Sequence, residues 1–382
     1  MIIIKDGSHA KRIIKLLLCT GEFPYYSLGI LGEIHSIKRA VKRMSEVQEV
    51  RGDSGKVIFY GKIVNISGKG QLKTVRLNAY AFTLVESIFP EMMEYYRYHT
   101  RNHRFRGDSL SVDRNHRVAE SIAMFLMAGV DMFPNLVPEL KVESTIRNEF
   151  VNPVFYHCRH LKTIIEDELK KNQYTRIVGS VFYESGCYAV YNTRDTVMKL
   201  SGEGEGKTRK HLEEIAKANS YCNAVDNVIL FGKTYENAER TLMCLESNPK
   251  ERKVFGHIYH HYHFIPLNSF GVKLIQLYTT PYWMEDVLSQ LFDPHERRQE
   301  MGVFQYDGKV DGTYYVSFLD SDIAKLRSVN NHIKTKPTDL VIVCFEEQIE
   351  FLKTYMGENI RLKIISIDEM LKTLDCERRH NL

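Results

Sequence analysis

The chain has no Cys-x-x-Cys pair, and its seven cysteines are scattered: Cys19, Cys158, Cys187, Cys222, Cys244, Cys344 and Cys376. The count is odd, and several lie in apolar runs such as Leu18-Cys19 and Val343-Cys344. Neither a disulfide frame nor a cysteine zinc site is expected; the pattern reads as reduced core thiols in a cytoplasmic protein. No window of about 18 uninterrupted apolar residues occurs, so no membrane-spanning helix is expected. The opening MIIIKDGSHAKR lacks the apolar stretch of a signal peptide. Internal repeats and low-complexity runs are also missing.

Hydrophobic residues make up 43% of the 382, which is ample for real cores and argues against wholesale disorder. This length suits two or three domains. The formal net charge is only +4, but it is unevenly spread. Residues 1–76 hold fourteen Lys/Arg against six Asp/Glu, a net of +8, so the remainder carries −4 by subtraction. A basic N-terminal module on a mildly acidic body suits docking onto phosphate.

The densest signal is Glu33 to Met44, EIHSIKRAVKRM. Ile34, Ile37, Val41 and Met44 are spaced three, four and three apart, one apolar stripe of a core-facing helix. His35, Ser36, Arg39, Lys42 and Arg43 fall on the opposite side, with Lys38 at the flank. Upstream, Ser8 can cap a first helix that Gly21 ends, and Pro24 can start a second, short one that Gly32 closes. Downstream, strand patterns at Val47–Val50, 56–64 and 72–77 are joined by glycine turns. Three helices and a basic hairpin describe a winged helix. Lys56, Lys62, Lys69, Lys73 and Arg76 would line the wing and its base. Two helical stretches follow, near 79–98 and 114–128, with the basic run Arg101–Arg106 between them as a possible phosphate contact or a solvated turn. Pro134, Pro138 and Pro153 punctuate a linker at 131–158. The expected domains are a winged helix-turn-helix at 1–90, a helical connector and linker at 91–158, and an α/β domain at 159–382.

In that last region strand and helix patterns alternate, which implies a mixed, mostly parallel sheet covered by helices. Three constellations could carry chemistry. Ser201-Gly-Glu-Gly-Glu-Gly-Lys-Thr208 is nearly a phosphate-binding GxxxxGK[ST] loop, but Ser201 replaces the first glycine, and Glu203 and Glu205 oppose phosphate. Glu205-Gly-Lys207 with Asp195 can be read as part of a metal-dependent nuclease set, though on a glycine loop where side chains are poorly held. His257, His261 and His263 would share one face if GHIYHHYHF were a strand, and His261-Tyr-His263 fits the pattern of metal-dependent nicking enzymes. The competing reading is an aromatic, histidine-rich packed strand.

The order of the helix-turn-helix, the wing, the helix Arg114-Asn-His-Arg-Val-Ala-Glu120 and the strand pair TRIVGSVFY/CYAVYN resembles the replication-relaxation family. That resemblance implies a DNA-binding protein of a plasmid or conjugative element. It further implies a winged helix joined to a restriction-endonuclease-like α/β domain. Sheets of that family often carry an acidic residue in each of two adjacent strands. This chain has Ser180 and Tyr191 or Asn192 near those places, which favours a degenerate, non-catalytic domain. The expected partners are double-stranded DNA and other mobile-element proteins, with no cofactor. The alternatives are a metal-dependent relaxase or nuclease using the histidine cluster, or a P-loop nucleotide hydrolase. The DNA sequence recognised and the oligomeric state are not legible.

Overall fold

The computed structural model describes residues 1–52, 54–101, 109–132, 152–163, 176–184, 186–198, 202–219, 222, 224–297 and 304–374. The chain is of the α/β class, with several small sheets. It divides into two compact units, Met1–Val137 and Pro138–Arg378.

The first unit begins with β1 (Ile2–Ile3) and α1 (His9–Thr20). The Ser8 hydroxyl accepts from the Lys11 amide, and Gly21, at φ 75°, closes the helix on the Leu17 carbonyl. β2 (Glu22–Pro24) follows, and Tyr25–Leu31 form a 3-10 turn where a short helix was expected. α2 (Ile34–Met44) matches the expected basic helix, with Ile37, Val41 and Met44 buried. The strands are β3 (Gln48–Arg51), β4 (Val57–Gly61), β5 (Val64–Ser67) and β6 (Thr74–Leu77). Then come α3 (Phe82–Ile88), α4 (Pro90–Tyr95) and α5 (Ser109–Met127).

Two expectations need correction here. The pattern 56–64 is not one strand. The chain breaks at Gly61, where an added Cβ would lie 2.7 Å from the Phe59 ring, and Ile63 instead donates to the Met44 carbonyl. β1-β3-β4 and β2-β6-β5 are therefore separate sheets. Nor do α4 and α5 form the connector expected from residue 91 on. α5 packs on α1 and β2, and its buried Glu120 accepts from Ser27 Oγ at 2.6 Å while His116 Nδ1 lies 3.1 Å from Tyr26 Oη. The expected loop 102–106 and most of the linker lie outside the described residues.

The second unit opens with β7 (Val154–His157), inside the expected linker but in fact a sheet strand, and α6 (Cys158–Thr163). β8 (Gly179–Tyr183) and β9 (Gly186–Arg194) form the expected hairpin. α7 (Glu203–Asn219), β10 (Asn227–Gly232), α8 (Tyr235–Ser247), α9 (Pro249–Ile258), β11 (His261–Pro266) and α10 (Ser269–Tyr278) continue the alternation. The order β7-β8-β9-β10-β11 is antiparallel through β9 and parallel beyond it. β10 reads NVILFG and is buried at every position but Asn227, as a central strand of a covered sheet requires.

After α11 (Trp283–Leu291), β12 (Gly308–Val310) and β13 (Thr313–Ser317) start a second sheet. α12 (Ile323–Thr335), β14 (Leu340–Phe345), α13 (Ile349–Met356), β15 (Arg361–Ile365) and α14 (Ile367–Thr373) complete it. β12 is antiparallel to β13; β13, β14 and β15 are parallel. The expected parallel rhythm holds for β9-β10-β11 and for β13-β14-β15, but these runs lie in two sheets, and β7, β8 and β12 join antiparallel.

The β5–β6 hairpin depends on Gly68. Its φ is +79°, and an added Cβ would collide with the Leu72 carbonyl oxygen. Gly68→Ala is expected to cost roughly 1–3 kcal/mol in urea unfolding. Gly55→Ala, at φ +74° with open space around it, is expected to cost only about 1 kcal/mol. Equal losses at the two sites would contradict this account of the hairpin.

Candidate nucleic-acid interface

α2 presents the predicted basic front. His35, Arg39, Lys42 and Arg43 are exposed, and Ser36 and Lys38 are half-buried at its edge. The apolar stripe behind them packs on α1 and the 3-10 turn, so packing fixes which way the charges face.

The sequence did not reveal how the hairpin joins this front. The link is Tyr25. Lys38 Nζ lies 5.7 Å from the centroid of its ring, and Lys73 Nζ lies 4.1 Å from it. The Tyr25 amide also donates to the Lys73 carbonyl at 2.8 Å. One aromatic ring thus gathers an ammonium from the helix and one from the base of β6, a cation–π arrangement that holds two like charges near each other. Pro24 before Tyr25 was the only available hint.

The other predicted residues divide between two hairpins. Lys69 is exposed in the β5–β6 turn. Arg76 lies mid-strand in β6, opposite Glu22 and Asn65, so it belongs to the ladder and not to the turn. Lys56 and Lys62 flank β4, in the other sheet. The single wing expected to carry all five is therefore corrected to two hairpins.

Two further details qualify the front. Arg43 Nη2 donates to the Met1 carbonyl at 2.9 Å, which ties it to the β1 segment. Glu33 caps α2: its carboxylate accepts from the amides of His35 (2.8 Å) and Ser36 (2.6 Å). The Ser36 hydroxyl bond comes first among the causes, with the two amides, that hold the Glu33 carboxyl down at about 2. The amides at this helix start are already occupied by an anion. A phosphate would meet the Glu33 charge there, so contacts from α2 fall to Arg39 and Lys42, farther along.

In the second unit the histidine strand is corrected. His257 sits on α9, not on β11, and lines a groove of about 560 Å³ with Gly202, Gly206, Arg209, Lys210 and Glu213. His261 and His263 do lie on β11, but both are tied into the protein. His263 Nδ1 donates to the Asp320 carbonyl at 2.8 Å, and its Nε2 sits 3.1 Å from Asn227 Oδ1. His261 Nδ1 donates to Asp322 Oδ2 at 2.7 Å. Among the described residues, the one group of three histidine or acidic side chains with ligand atoms all within 4.8 Å of one another is Asp293, His295 and Glu296, which the sequence did not single out.

Asp322 is the residue the sequence reading missed. It is fully buried and caps α12; its Oδ1 accepts from Tyr262 N (3.0 Å) and Ala324 N (2.9 Å). Lys325 Nζ lies 3.1 Å from Asp320 and 3.9 Å from Asp307. Burial alone would raise the Asp322 pKa, but the His261 hydrogen bond and the charges of His263, His261 and Lys325 reverse that and lower it. The His261 pKa is raised, first by the bond to Asp322. The signal in the sequence was the Ser-Asp-Ile start of α12, a normal helix N-cap pattern.

The near-P-loop is also corrected. α7 begins at Glu203, so the segment is helix where a glycine loop was expected. The side chain of Glu205 is buried, meets Arg176 at 3.0 Å and accepts from the Gly202 amide at 3.0 Å. A carboxylate occupies the helix start where a triphosphate would sit, and Glu205 is committed to the fold.

No helix among the described residues is long and apolar enough to cross a membrane. Comparison with known proteins gives no match: no family model, curated protein or solved structure matches the chain.

The His261–Asp322 pair makes stability depend on pH. The raised His261 pKa contributes stability that is complete below its ordinary 6.5 and is lost as pH rises through the folded value. The lowered Asp322 pKa contributes stability above its ordinary 3.8 that is lost as pH falls through the folded value. His261→Gln is expected to flatten the alkaline side of a stability–pH profile measured by urea unfolding. A variant profile parallel to wild type above 6.5 would refute the pairing's role.

Proposed function

We propose that this is a DNA-binding protein of a mobile genetic element, which docks on duplex DNA through α2 and the β5–β6 hairpin of a winged helix. The observation that carries this reading is the Tyr25 ring shared by Lys38 and Lys73, which makes the helix front and the hairpin base one basic face. Chain order supports it: α1, the 3-10 turn and α2 precede the hairpin, and β6 pairs back onto β2, the strand between the first two helical segments. Arg39 and Lys42 would reach base edges or phosphates, and Lys69 and Lys73 the flanking phosphates.

The second unit is read as a scaffold of the degenerate restriction-endonuclease-like kind that the replication-relaxation resemblance implies. β8 and β9 contain no carboxylate. The commitment of His261, His263 and Glu205 to internal bonds speaks against the nicking and nucleotide-hydrolysing alternatives.

The full-length chain is expected to bind mixed-sequence duplex DNA with an affinity that falls steeply with salt. Lys73→Ala should reduce the slope of log affinity against log salt by about 0.9, as for one lost phosphate contact. Arg39→Ala with Lys42→Ala should cost roughly 1–3 kcal/mol for each base-directed contact removed. Filter retention of wild type and the double variant that is equal at low salt would reject this function.

A further inference from the structure

The sheet β1-β3-β4 is apolar on both faces. Ladder register places Ile2, Val50 and Phe59 on one face; Ile2 and Val50 are buried and Phe59 is half-buried. The same register places Ile3, Glu49, Arg51 and Tyr60 on the other, and Ile58 stands at the bulge where the register shifts and Arg51 pairs with Val57. Here Ile3 is 46% exposed, Ile58 43% and Tyr60 74%. Val57, at the β4 end of the ladder, and Val47, before β3, are each 52% exposed. A sheet with one face on a core normally alternates apolar with polar residues. β4 instead reads Val-Ile-Phe-Tyr, the composition of a strand covered on both sides. Of the thirteen large apolar residues exposed among those described, six lie on or beside this one small sheet. Such clustering marks a docking surface.

The charges on that face indicate the occupant. It carries one acid and one base, Glu49 and Arg51, paired at 2.5 Å and each about two-fifths exposed. A contact between two copies across a twofold axis requires a patch that complements itself. An apolar surface with a single ion pair at its middle meets that condition, because Arg51 of one copy can meet Glu49 of the other. An acidic or basic partner would be better matched by a patch of one sign. Lys56 and Lys62 at the two ends of β4 disfavour a different arrangement. Pairing β4 edge to edge with its own copy about Phe59 would set each lysine against the other.

We propose that this face is a homodimer contact, with two copies packed face to face through Ile3, Ile58 and Tyr60 around a reciprocal Glu49–Arg51 pair. This inference concerns assembly and stands or falls separately from DNA binding. The contact is small, so the dimer is concentration-dependent. In a dimer the basic faces become two in number, which suits two half-sites on a duplex.

Sedimentation equilibrium of the full chain over a concentration series tests it. Wild type is expected to show a reversible monomer–dimer equilibrium. Ile58→Asp should weaken it roughly tenfold or more, and Tyr60→Ser, at a position needing little support from the fold, should weaken it too. Glu49→Arg and Arg51→Glu should each weaken self-association, while an equimolar mixture of the two should associate better than either alone. A wild-type chain that stays monomeric, an Ile58→Asp dimer as tight as wild type, or a mixture no better than its components would overturn the proposal. Loss of DNA binding with dimerisation intact would count against the DNA reading alone.

Discussion

The second unit depends on one buried charge. Asp322 lies at the start of α12, and its carboxylate ties that helix to β11. One oxygen takes the amide of Tyr262 on β11 and the amide of Ala324 on α12; the other takes the His261 imidazole. A carboxylate this far from water is tolerated only when its lone pairs are filled and opposite charge is near. Here Tyr262, Ala324 and His261 fill the lone pairs, and the charges of His263 and Lys325 lie near. Around it the Phe264 amide donates to the Ser321 carbonyl, and Gln348 donates to the Phe318 carbonyl and the Ser321 hydroxyl. The junction between the sheets is a polar network in an otherwise apolar interior, and its geometry fixes how β11 and α12 meet.

That constraint decides what the histidines can do. A strand rich in histidine and tyrosine invites a reading as a metal centre. The same residues, once Asp322, Asp320 and Asn227 are brought up from distant parts of the chain, form the lining of a sheet junction. The side chains that looked available for catalysis are used to satisfy one another. In the first unit the balance runs the other way. The apolar residues of α2 are consumed by packing, and Arg39 and Lys42 are left facing outward, with Tyr25 holding Lys38 and Lys73 beside them.

Much of the fold was legible. The capped start and glycine end of α1, the bounds of α2, the β8–β9 hairpin, and β10, α8 and β14 all follow from spacing, caps and β-branched runs, since these depend on residues near in sequence. The miss at 56–64 has a local cause that composition hides: apolar residues resume at Ile63 just past Gly61-Lys62, and only the approach of the Phe59 ring to Gly61 shows that the strand must end. The first turn of α7 is rich in glycine and reads as a loop in the sequence. Glu205, by accepting the Gly202 amide and meeting Arg176, holds that turn helical in spite of it.

The sequence by itself determined the basic, amphipathic character of α2, the alternation of strand and helix in the second half, and the lack of carboxylates on β8 and β9. Each is a property of neighbouring residues or of a repeat period. The tertiary structure alone decided that Lys38 and Lys73 share a ring, that the strands of the second half divide into two sheets, and that His261 serves a buried aspartate sixty-one positions away. Those outcomes rest on contacts between distant segments. Chain closure and side-chain packing set such contacts, and no local pattern of residues encodes them.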